Sequence, residues 1–242
     1  MERLSLCSQR ILKDAPERLR EGGRLRVLAK AACVFTVALA VACGPPNRAT
    51  AADQLTAAMR AVPGVTSVDR NYYNGFDQGA GFRLSVTVGC SVSAQALSDA
   101  ARAFVNRVDT IGFAKHKVEL AFSLDSPSYT TAAPPGESDY SYSRAEFPIN
   151  DESGHRTSTS SDDVAADVSL WVSVFQFPGV VSVTLGRWGG QPPADRKGRD
   201  VWFRATVVDQ AAGTALQQRF PQLTDNWKVP LLHVAAACTP AG

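Results

Sequence analysis

The chain is short of the residues from which most reactive sites are built. Its 242 residues include 3 His, 2 Met and 5 Cys, and 19 of its 25 basic residues are Arg. His116, His155 and His233 are widely separated in sequence. No G-x-S-x-G, H-E-x-x-H, P-loop or S-x-x-K pattern occurs. The usual sequence signatures of serine hydrolysis, zinc peptidases, nucleotide binding and penicilloyl transfer are therefore missing. No apolar run reaches the ~20 residues a membrane-spanning helix needs. The expectation is no catalytic set, no metal and no cofactor.

An uncharged, almost wholly apolar stretch, Ala-Ala-Cys-Val-Phe-Thr-Val-Ala-Leu-Ala-Val-Ala, occupies 31–42. As helix it rises only about 18 Å, against a hydrocarbon core of about 30 Å. It fits the apolar region of a secretion signal, and Arg24, Arg26 and Lys30 supply the positive flank. Its exit, Leu39-Ala40-Val41-Ala42-Cys43, resembles the lipobox of bacterial lipoproteins of the actinobacterial type, with Ala40 where Leu is commoner. The resemblance covers roughly residues 24 to 46. It implies diacylglycerol and palmitate on Cys43, cleavage after Ala42, and anchoring at the extracytoplasmic face of the cell membrane. Ala40-Val41-Ala42 also satisfies the A-x-A rule for plain secretion, which is the alternative. Residues 1–23 form a long, mixed-charge leader, and initiation near Val27 would leave a compact signal.

Residues 1–42 carry 8 of the 25 basic and 4 of the 23 acidic residues, so the remainder has a formal charge of −2. The slight basicity of the whole chain lies in the leader, and no argument for nucleic acid survives. Beyond Cys43 only Cys90 and Cys238 remain, and in an oxidising compartment they are expected to pair. Two buried free thiols are the alternative.

After a tether at 43–51, one pattern occurs twice. In the first copy, 52–124, Leu55, Ala58, Met59 and Val62 mark a helix ended by Pro63-Gly64-Val65. A strand to about Tyr73 follows, then alternation at Phe82, Leu84, Val86 and Val88. A helix capped by Ser93 carries Leu97, Ala101, Phe104 and Val108, and Val118 to Leu124 alternate again. The second copy, 162–238, has a stripe at Val164, Val168, Trp171 and Phe175, then Pro178-Gly179-Val180. Strands at about 181–188 and 200–208 precede a helix around Ala212 to Phe220 and a last strand at Val229 to Ala236. Between the copies, 125–161 reads as a polar acidic linker containing Tyr129, Tyr140 and Tyr142, a possible partner-binding segment or a solvated spacer. Tyr140 to Ile149 could add a strand.

A Pro-Gly-Val between helix and strand, ahead of βαβ, resembles a ferredoxin-like module, as in heavy-metal-associated domains. Those need a CxxC that neither copy has, so only the topology carries over. The expected fold class is α+β, with two ferredoxin-like αββαβ repeats whose antiparallel sheets are each covered on one face by helices.

Two hairpin loops are the candidate binding sites: Phe76 and Asp77 in the first, and Arg187, Trp188, Arg196, Lys197 and Arg199 at the second. Aromatic rings beside Arg and Lys suit an anionic envelope polymer, a lipid headgroup or an acidic protein patch. Flexible tips are the plain alternative. His116, between Lys115 and Lys117, is expected to be exposed, and His233 to be a core or interface histidine. The leading functional reading is a non-enzymatic envelope lipoprotein that binds an envelope protein or polymer, or acts as an accessory or sensor subunit. The alternative is a cell-wall hydrolase or transferase in which His116 or His233 meets a carboxylate and a nucleophile.

Overall fold

The computed structural model describes residues 45–75, 79–125, 143–187, 201–223, 227–229 and 236–238. It is an α+β structure in which all seven described strands join one sheet in sequence order, β1 to β7. The elements run α1 (Ala49–Arg60), β1 (Val65–Gly75), β2 (Gly79–Val88), α2 (Ala94–Ile111), β3 (Lys117–Leu124), β4 (Arg144–Asn150), α3 (Ser161–Phe175), β5 (Val180–Arg187), β6 (Val201–Val207), α4 (Gln210–Arg219) and β7 (Trp227–Lys228). None of the described helices is long and apolar enough to cross a membrane.

Antiparallel pairing was expected, and the sheet departs from that by mixing antiparallel with parallel pairs. Strands joined by hairpins or loops pair antiparallel (β1/β2, β3/β4, β5/β6), whereas those joined through a helix pair parallel (β2/β3, β4/β5, β6/β7). Each crossover helix returns the chain beside the strand it left, which a parallel pair requires. The strand suggested at Tyr140 to Ile149 is β4, inside the segment read as linker. It bridges the halves by pairing with β3 on one side and β5 on the other.

The same local succession occurs in each half. Gly64 and Gly179 both sit at positive φ, +87° and +81°. The Val65 amide donates to Val62, and the Val180 amide to Phe177, both at 3.1 Å. Gly89 and Val208 then donate to the Gly64 and Gly179 carbonyls, each at 2.8 Å. The register also shifts at matching places, Val65/Ser67 and Val180/Ser182. A Cβ on Gly64 would fall 2.7 Å from the Val92 backbone, so this left-handed turn has no room for a side chain.

Alternation decides which face is covered. Phe82, Leu84, Val86 and Val88 on β2, and Val118, Leu120 and Phe122 on β3, are buried with Met59, Leu97 and Phe104 of the helices. Phe203, Val207, Val168, Trp171 and Leu216 join the same core. The buried stripe of α1 is Ala52, Leu55, Thr56 and Met59, and Ala58 is exposed. Ser93 caps α2, its Oγ accepting from the Ala96 amide. α4 runs through Gly213, where a Cβ would lie 2.3 Å from the Trp227 ring and leave it no room. Within the expected last strand, 230–235 lies outside the described residues, and β7 pairs with β6 at Trp227 and Lys228.

Cys90, just after β2, and Cys238 form a disulfide with Cα atoms 5.6 Å apart. Beside it, Gln176 Nε2 donates to the carbonyls of Cys90 and Val92, both at 2.8 Å, and the Ala237 amide donates to Val180. The bridge thus holds the turn entering β5 against the loop leaving β2. It spans 148 residues, for which the chain-entropy account gives about 5 kcal/mol. Cys90→Ser, Cys238→Ser and the double variant should each lose about 3–5 kcal/mol in denaturant unfolding. The double variant should be no worse than either single one, since one bond is at stake in all three.

Candidate binding face and buried polar sites

Strand direction fixes which ends of the sheet meet. β1 and β5 run the same way, so Gly75 and Arg187, where the two candidate loops begin, lie at the same end. Phe76, Asp77, Trp188, Arg196, Lys197 and Arg199 lie outside the described residues, as do Cys43 and His233.

Arg187 is described, and it faces inward. Its Nε donates to Asp167 of α3, and its Nη2 lies 3.6 Å from Asp163. The side chains of Arg187 and Asp167 are each only 11% exposed. Burial pushes the Asp167 carboxyl up, opposed by the bond and charge of Arg187. Asp163 is held down, because the Ser160 hydroxyl and amide donate to it in a capping box. This arrangement ties the first turns of α3 to the end of β5. Sequence reading missed the pairing, although Asp163 and Asp167 are four residues apart on a helix opened by Ser160 and so share a face.

His116 is a second correction. It is fully buried, not exposed. Its ring lies stacked 5.9 Å from Tyr72 and edge-on 5.5 Å from Phe113. Nε2 is 3.5 Å from the Tyr72 hydroxyl, and Nδ1 is 3.2 Å from the Ala114 carbonyl. The flanking lysines point elsewhere: Lys115 is exposed, and Lys117 pairs with Glu119 at 3.0 Å. Burial lowers the His116 pKa, more than the Ala114 carbonyl raises it, and the Arg48 charge adds to the lowering. His155, in contrast, is exposed beside Asp151.

The face away from the helices carries the polar set. Arg83 on β2 pairs with Glu119 on β3 at 3.5 Å and with Glu146 on β4 at 3.7 Å. With Ala121, Pro148 and Trp202 they line a shallow recess of about 190 Å³. The Trp202 indole lies over Gly186, where a Cβ would come within 2.6 Å of the ring. An aromatic ring beside a paired guanidinium and two carboxylates can hold a hydroxyl-rich or zwitterionic group. Exposed ion pairs of this kind contribute only about 0–1 kcal/mol to stability. Among the described residues no cluster of His, Cys, Asp and Glu could hold a metal ion.

No protein-family model matches the chain, and no curated protein and no solved structure matches it.

Two outcomes follow from the buried groups. A histidine with a lowered folded pKa stays neutral in the fold while the unfolded chain takes up protons. Its stabilising effect is present above the ordinary value of about 6.5 and is lost as pH falls through the folded value. Chemical denaturation should therefore show stability falling below about pH 6.5, and His116→Phe should flatten that slope. Equal slopes in the two proteins would contradict the assignment. Arg187→Met should cost about 3–5 kcal/mol, because it strands Asp167 beneath α3 without its partner. A smaller loss in Arg187→Met/Asp167→Leu would identify the stranded charge as the cause.

Proposed function

We propose that this chain is a membrane-anchored lipoprotein of the cell envelope whose α+β body binds an envelope protein or polymer. The observation that carries the reading is Leu39-Ala40-Val41-Ala42-Cys43 at the exit of an uncharged twelve-residue run, only six residues ahead of α1. A Cys90–Cys238 disulfide suits the oxidising side of a membrane. Among the described residues, the buried Asp167 and His116 are engaged by Arg187 and by Tyr72 with the Ala114 carbonyl. That employment supports a binding role over acid–base chemistry. We further infer that the halves are one duplicated αββαβ unit. The support is the paired Pro-Gly-Val turns, the matching register shifts and the shared order of antiparallel then parallel pairing.

The test is fractionation. The parent chain should partition with membranes and carry a diacylglyceryl mass on the peptide beginning at Cys43, and Cys43→Ala should appear in the soluble fraction. Identical fractionation of the two proteins would end the lipoprotein reading.

A further inference from the structure

The point where the chain enters the fold lies at one particular end of the sheet. Asn74 Nδ2, at the tip of β1, donates to the Pro45 carbonyl at 3.2 Å. The Arg48 amide donates to the Tyr72 hydroxyl at 2.7 Å, and Arg48 Nε reaches the Gly112 carbonyl at the end of α2. The entering segment is therefore pinned to the end where β1 finishes and β3 begins.

The loops at this end brace one another. Asn150 Nδ2, at the tip of β4, donates to the carbonyls of Phe113 and His116, both at 3.2 Å. Gly154, at φ +74°, packs so closely on the Lys115 backbone that a Cβ would meet it at 2.2 Å. The opposite end holds the Pro-Gly-Val turns and the disulfide, about 30 Å away along the ten residue steps of β1.

We propose that this end, formed by Pro45, Asn74, Ala114 and Lys115, is the surface that faces the lipid bilayer. The proposal rests on the lipoprotein reading of Cys43. Only Gly44 separates that residue from Pro45, and two residue steps extend at most about 7 Å. A lipid on Cys43 therefore brings the pinned end to the headgroups and leaves little freedom to turn the other end toward them.

The chemistry of this end suits contact without insertion. Its exposed groups include Asn74, Lys115, Glu152 and His155, of mixed charge. Tyr73, close to the tip of β1, is its exposed large hydrophobic residue, and tyrosine favours the headgroup level. The disulfide end and its turns then project outward, where a partner can reach them.

The experiment uses the lipidated protein, purified from membranes and reconstituted into phosphatidylglycerol/phosphatidylethanolamine vesicles doped with nitroxide-headgroup lipid. A fluorophore is attached at one of three exposed positions: Ala114→Cys at the pinned end, Ala61→Cys at the far end of α1, or Asp125→Cys after β3. Quenching should be severalfold larger at position 114 than at 61 or 125. Equal quenching at 114 and 61 would mean that the α1/β1 flank lies on the bilayer, and stronger quenching at 125 would mean the reverse orientation. Either result overturns the proposal while leaving the lipoprotein reading intact. Absence of the diacylglyceryl mass on Cys43 would remove both.

Discussion

Trp171 is fully buried where the two halves of the sheet meet, and the single core is organised around it. Its ring lies 6.2 Å from Phe122 of the first half and 4.7 Å from Phe175 one turn along its own helix. Its indole N–H donates to the Val183 carbonyl, so burying the nitrogen leaves no orphaned donor. Phe122 also meets Phe147 of β4 edge-on. A ring of this size, in contact with β3, β5 and α3 at once, cannot be covered by either half alone. It requires α2 and α3 to pack side by side, which they do with Ser98 Oγ donating across the seam to the Ala165 carbonyl. That shared burial explains why the two halves form one sheet. β4 extends the sheet across the seam, and the disulfide with Gln176 closes it at the far end.

The two halves solve the same packing problem with different chemistry. Nine residues beyond the turn proline stands Tyr72 in the first half and Arg187 in the second; eleven residues before it stand Ala52 and Asp167. In the second half the helix and strand are joined by a desolvated ion pair. In the first, the alanine leaves no charge to answer. The Tyr72 hydroxyl accepts instead from the Arg48 amide and sits against His116. A neutral contact here lets the entering chain lie directly on the strand. The ion pair elsewhere locks α3 to the end of β5. Breaking a buried ion pair costs more than losing one hydrogen bond of this kind, so the second half tolerates change at this point less well.

Local elements were legible because their signals are local. A Pro-Gly-Val after an amphipathic stripe ends a helix in a left-handed turn, and alternation of the Phe82-to-Val88 kind makes a strand with one buried face. Alternation does not say which strand lies beside which. The parallel pairing of β2 with β3 depends on α2 recrossing the sheet, and no residue in either strand encodes it alone. His116 was misread for a related reason. Its neighbours in sequence are lysines, but its surroundings are set by Tyr72, 44 positions earlier, and by the turn that directs its ring toward Phe113. Arg187 reads in the sequence as a binding-loop residue, but it ends β5 with its side chain against α3. Val183, Leu185 and Arg187 share the covered side of β5, and this parity was readable in the sequence.

Position within the sheet also separates what the two faces can do. The covered face is occupied by a core that admits little change, and its polar groups, Asp167, Arg187 and His116, have partners that hold them still. On the open face Arg83 and Lys117 balance the charges of Glu119 and Glu146. A bare charge would gain little there, whereas a ligand presenting both a donor and an acceptor could exchange with those pairs beside the Trp202 ring. A formal charge of −2 after residue 42 points the same way, since long-range attraction contributes little and selection falls to shape and paired hydrogen bonds. A group rich in paired donors and acceptors meets those terms better than a strongly charged one does.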